Sequence, residues 1–68
     1  MERDELEEER AAFIAGEIGG AVVELIINSV VISRDAIVDS LEAKRRSVGN
    51  VIHKGILRDA AVMVRKGQ

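Results

Sequence analysis

The 68-residue chain contains no cysteine, proline, tryptophan or tyrosine, one phenylalanine (Phe13) and one histidine (His53). Without cysteine, neither a disulfide framework nor a thiolate metal site can form. The lack of proline and aromatics argues against most small β-domains. One imidazole among scattered acids is a poor ligand set, since protein ligands to a metal usually come in threes or fours, so no metal or cofactor is expected. Neither Cys nor Tyr can act beside His53, and Ser29, Ser33, Ser40 and Ser47 fall at loop, cap or helix-surface positions, which leaves no nucleophile and base at motif spacing. Gly16-x-x-Gly19-Gly20 follows no strand and precedes no Lys-Ser/Thr, so it is not a phosphate loop. Catalysis on a small-molecule substrate is therefore not expected.

What is present points to helices. The composition is 47% apolar and 32% charged, too apolar for a disordered regulator. A chain of this size is one small domain, which buries only ~60% of its unfolded surface and needs unusually good helix packing or a partner subunit. The net charge of −2 hides a polarity. Residues 1–10 carry six acids against Arg3 and Arg10, net −4; residues 11–43 carry five acids against Arg34, again −4. Residues 44–68 carry seven basic side chains against Asp59, net +6. Acids at helix starts and bases at helix ends suit the helix dipole, and a basic half also offers a surface to an acidic partner.

The acidic first decad is unlike the positive start of a secretory signal, so a cytoplasmic location is expected. The 22 residues from Ala11 to Ile32 have the length of a membrane span but are interrupted by Glu17, Glu24 and Asn28. Two carboxylates near the middle would each cost about 2.5–3.5 kcal/mol on insertion. With Arg10 they stand at steps of seven, seven and four, which forms one narrow polar strip on a helix that is otherwise buried. No membrane insertion is expected.

The expected architecture is all-α, a long–short–long chain of three helices in one domain spanning 1–68. Helix 1 covers about 3–28, with an apolar stripe of Ala11, Ile14, Ala15, Ile18, Val22, Leu25 and Ile26. A second stripe runs through Ala12, Gly16, Gly19, Gly20, Val23 and Ile27. Each glycine costs about 1 kcal/mol relative to alanine in a helix interior. The natural compensation is close approach of another helix backbone, either helix 3 of the same chain or helix 1 of a second copy. A helix apolar on two faces is more than 68 residues can cover, which favours the second copy and makes these six residues the candidate homodimer interface.

Ser33 is a predicted N-cap, with Asp35 in the first turn and Ile32 placed to staple onto Ile37; helix 2 covers about 34–46 and buries Ile37, Val38 and Leu41. Helix 3 covers about 49–66, starting from a cap between Ser47 and Asn50, with Val48, Ile52, Ile56, Ala60 and Met63 as its apolar positions, flanked by Val51, Leu57, Ala61 and Val64. Lys44, Arg45, Arg46, Lys54, Arg58 and Arg65 form the candidate nucleic-acid or partner surface. Against DNA stand the acidic first helix, the absence of an aromatic platform and the lack of a base-reading helix. A protein partner would instead use exposed apolar or acidic positions such as Glu24 and Asp39.

Leu6-Glu7-Glu8-Glu9, Gly19-Gly20-Ala21-Val22 with Leu25, the Ser33 cap leading to Ile37 and the Leu41-Glu42 pair, and the helix from Ile52 to Val64 resemble the AriR (YmgB-type) family over residues 6–64. These are small enterobacterial regulators of biofilm development and acid resistance, also described as two-component connector proteins. The resemblance implies an all-α fold, dimerisation through the long helix and a regulatory role exercised on DNA or a phosphorelay protein. It carries over no catalytic residue. Gly16 and the doubled Gly19-Gly20 depart from that pattern and bear on the dimer contact. A second small family, the fumarase-D-type proteins, is similar in size and helix order and implies a metabolic role, for which this chain offers no evident acid–base pair.

Overall fold

In a computed structural model, which describes the backbone of residues 3–67 and the side chains of residues 8–67, the chain is three α-helices. Met1, Glu2 and Gln68, counted in the single domain expected from the sequence, lie outside the described residues. Helix α1 spans Arg3–Ile27, α2 Arg34–Ser47 and α3 Val51–Lys66. No strand occurs among the described residues.

Each boundary has a local cause. At the end of α1 the N–H of Val30 donates to the Leu25 carbonyl at 2.9 Å and that of Ser29 to the Ile26 carbonyl at 3.1 Å, the pattern of a Schellman motif. Its left-handed position is held by Ser29 at φ 57°, where glycine is usual, at a steric cost of about 1–2 kcal/mol. The Ser33 hydroxyl accepts from the N–H of Ala36 at 3.0 Å and starts α2, as expected. Helix α3 begins at Val51 rather than near 49. Ser47 is not its cap, because its hydroxyl donates back to the Lys44 carbonyl at 2.9 Å and closes α2. Asn50 instead accepts from the N–H of His53 at 2.9 Å, and Val48 and Asn50 are extended.

Helices α1 and α3 run antiparallel, as the pairs Arg10 with Asp59 and Glu17 with His53 require. The tightest association is α2 on α3, tied where they meet by the Lys54 ammonium donating to the Arg45 carbonyl at 2.9 Å. The core is thin: Ile14, Ala21, Val38, Leu41, Leu57, Ala60 and Ala61, with Ile18, Ile37, Val48, Ile56 and Val64 packed half-buried around it. This corrects two expected stripes. On α1, Ala11, Ala15 and Ile26 are exposed while Ala21 is buried; on α3, Ile52 and Met63 are exposed and the face inward is Leu57, Ala60, Ala61 and Val64. The apolar side chains of helix α3 cover about half of its circumference, wider than the strip that packs, so spacing alone does not choose which part turns inward; the choice is made by what α1 and α2 present to it. No helix among the described residues is long and apolar enough to cross a membrane.

Candidate macromolecule-binding site

The polar strip of α1 faces its own chain. Glu17 accepts from the Lys44 ammonium of α2 at 2.8 Å through one carboxylate oxygen and meets His53 Nε2 of α3 at 2.9 Å through the other. One half-buried carboxylate thus joins all three helices. About two turns before it on α1, Arg10 pairs with Asp59, which also takes the Arg58 guanidinium at 3.4 Å. Both carboxyls are held below their ordinary range. For Glu17 the hydrogen bond from Lys44 is the main cause, opposed by partial burial and aided by His53. For Asp59 the main cause is Arg10, again opposed by desolvation and aided by Arg58.

A carboxyl whose folded pKa is lowered stabilises fully above its unfolded value and loses that contribution as pH falls through the folded one. The Glu17 and Asp59 contributions are therefore intact above their ordinary values of 4.5 and 3.8 and are lost progressively below them. Thermal melts from about pH 5 down to about pH 3 will show a falling midpoint, and Glu17→Gln will flatten that fall. The effect is modest and shrinks with added salt, because the pairs are partly exposed. A slope unchanged by Glu17→Gln would show that the carboxylate does not hold the helices together.

The candidate basic surface is largely occupied. Lys44 is on Glu17, Arg45 is on Glu42 at 2.8 Å, Arg58 is on Asp59, and Lys54 is spent on a backbone carbonyl. Arg46 and Arg65 are exposed and enter no ion pair among the described residues. Lys44, Arg45, Arg46 and Lys54 gather where α2 meets α3, whereas Arg65 stands in the last turn of α3, away from them.

The candidate interface on α1 is open. Ala12, Gly16, Gly19, Gly20, Val23 and Ile27 are all exposed, Ile27 at 73%. A Cβ built on Gly16, Gly19 or Gly20 meets nothing within 4 Å. Helix α3 therefore does not compensate these glycines, which removes the intrachain alternative. Beside this face, Phe13 of α1 and Ile52 and Ile56 of α3 wall a cleft of about 460 Å³ whose floor holds Glu17, Asn50 and His53. The sequence offered no partner for His53; its pairing with Glu17 was missed, because a contact across 36 residues depends on how α1 and α3 register. The signal available beforehand was the strip of Arg10, Glu17, Glu24 and Asn28, which marked the flank but not its partners.

Chemically, a carboxylate and an imidazole in contact can orient a base, yet the hydroxyls of Ser33 and Ser47 are engaged with backbone groups. No cluster of three or more metal-ligating side chains occurs among the described residues. No family model, curated protein or solved structure matches the chain.

Proposed function

We propose that this is a small non-enzymatic regulator of the AriR (YmgB-type) kind, cytoplasmic and homodimeric. It binds a macromolecular partner in control of biofilm development or the stress response, a two-component phosphorelay protein in preference to DNA. The observation that carries the reading is the division of its surface: the basic side chains are mostly spent within the chain, while apolar side chains away from the α1 interface, among them Val31, Val51 and Ile52, stand exposed. Affinity for DNA rises with the number of phosphates neutralised, and side chains already paired to carboxylates contribute little to that number. Apolar side chains left in water favour a protein surface.

Two titrations test this. Anisotropy of a labelled duplex will show weak binding at low salt that disappears near physiological salt. Phosphotransfer from a purified histidine kinase to its response regulator, run across the host's relays, will change in rate when the chain is added in stoichiometric amount. Tight duplex binding that is steep in salt, is lost on Arg45→Ala with Arg46→Ala, and comes with no effect on any relay would make DNA the target instead.

A further inference from the structure

We infer that the cleft between α1 and the start of α3 binds a small apolar molecule through a single hydroxyl, which donates to His53 Nδ1 and accepts from the side-chain amide of Asn50. A phenol carried on a flat apolar body is the class of ligand that fits. The inference stands on the cleft alone and is independent of the regulatory reading above.

The floor of the cleft determines where its hydrogens lie. Glu17 is ionised at neutral pH, because the hydrogen bond from Lys44 holds its carboxyl below the ordinary range. A carboxylate has no hydrogen to give, so in the 2.9 Å contact with His53 the imidazole Nε2 is the donor. In the neutral ring the other nitrogen, Nδ1, then carries a lone pair, and nothing among the described residues donates to it. The Asn50 side chain is settled in the same way. Its Oδ1 accepts from the His53 backbone N–H at 2.9 Å as the cap of α3, which leaves the hydrogens of its NH2 branch unused. One acceptor and one donor thus stand three residues apart at the start of α3, on side chains that both line the cleft.

The walls are apolar. Phe13 stands one turn before Glu17 on α1, and Ile52 and Ile56 stand one turn apart on α3. Phe13 and Ile52 are 62% and 73% exposed, whereas the side chains of Glu17 and His53 at the floor are 20% and 32% exposed. A ligand with an apolar body therefore covers wetted surface, while its polar head reaches groups already partly removed from water, where an unanswered donor or acceptor is costly. A volume of about 460 Å³ falls within the ~300–1,000 Å³ of small-molecule sites and admits two fused rings.

The pairing selects the head group. A hydroxyl gives one hydrogen and accepts another, so it answers both side chains together. A carboxylate would face the charge of Glu17 and the Nδ1 lone pair. An ammonium would find both Glu17 oxygens engaged, one by Lys44 and one by His53. An ether accepts without donating, and an aromatic N–H donates without accepting.

The chain has neither tryptophan nor tyrosine, so a fluorescent phenol can be read without background from the protein. The fluorescence anisotropy of 2-naphthol, titrated with the full chain at about pH 8, at the top of the range in which imidazoles commonly titrate, will rise and saturate. 2-Methoxynaphthalene, with the same rings and no hydrogen to donate, will bind about tenfold more weakly, the worth of one hydrogen bond. Asn50→Asp preserves the cap of α3 and removes the amide donor; it will keep the helical circular dichroism and weaken 2-naphthol several-fold. Phe13→Ala, at an exposed position, will weaken both ligands alike. Nitrogen NMR of the imidazole will find the ring hydrogen on Nε2, and the Nδ1 signal will shift when 2-naphthol is added. The assignment is overturned by any one of four results: no saturable rise, equal affinity for 2-naphthol and its methyl ether, a folded Asn50→Asp chain that binds as tightly as the parent, or a neutral ring with its hydrogen on Nδ1.

Discussion

Leu57→Ala will leave the chain largely unfolded at room temperature. Leu57 and Leu41 are the largest fully buried side chains, at 0% and 1% exposure, and three of the seven core residues are alanines. Leucine-to-alanine truncation in a core costs about 2–5 kcal/mol, the larger values applying where neighbours cannot collapse into the space. Ala60 and Ala61 lie one turn along α3 and have no rotatable atoms to move into the cavity. Stability of about 0.05–0.15 kcal/mol per residue leaves a chain this short little to lose. A urea titration followed by circular dichroism, at matched protein concentration, will show the midpoint moving close to zero denaturant. Leu57→Met, which preserves volume, will cost less than about 1.5 kcal/mol. A Leu57→Ala midpoint equal to the parent's would mean that α3 is not held by this side chain.

The same core explains what the sequence revealed and what it withheld. The Ser33 cap, the end of α1 near residue 28 and the inward Ile37, Val38 and Leu41 of α2 were legible because capping and amphipathicity are local properties. The start of α3 was ambiguous because Ser47 and Asn50 are both good caps; the hydroxyl of Ser47 is engaged at the end of α2, and only Asn50 remains for α3. The inward face of α3 was not legible, since Ile52, Ile56, Leu57, Ala61 and Met63 are all apolar and spacing cannot rank them. Nor was the junction at Glu17, whose partners lie 27 and 36 residues away and are selected by helix registration. The two apolar sides of α1 were legible, but their assignment was not. Apolar periodicity alone does not say which side meets α2 and α3; in the fold the flanking polar strip turns toward them, with Arg10 on Asp59 and Glu17 on Lys44 and His53.

That assignment predicts opposite outcomes for the same kind of enlargement on the two sides of the fold. Ala61→Leu will strip the chain of fixed packing. Ala61 and Ala60 are 0% exposed and share the core with Ile14, Ala21, Val38 and Leu41, so added carbons can enter only by separating helices. Overpacking costs typically about 1–3 kcal/mol. Here the cost is compounded, because moving α3 outward also parts His53 from Glu17, one of the two polar contacts that tie α3 to α1. Far-ultraviolet circular dichroism will retain most of the helical signal while the thermal transition broadens and the dye 8-anilinonaphthalene sulfonate binds, the signature of helices without specific packing. On the outer face of α1, Gly19→Ala enters space with no atom within 4 Å and replaces a residue that costs a helix about 1 kcal/mol, so the fold of the single chain will hold or strengthen. A sharp, unshifted melt for Ala61→Leu would place Ala61 outside the packed interior and reverse the assignment of the two sides.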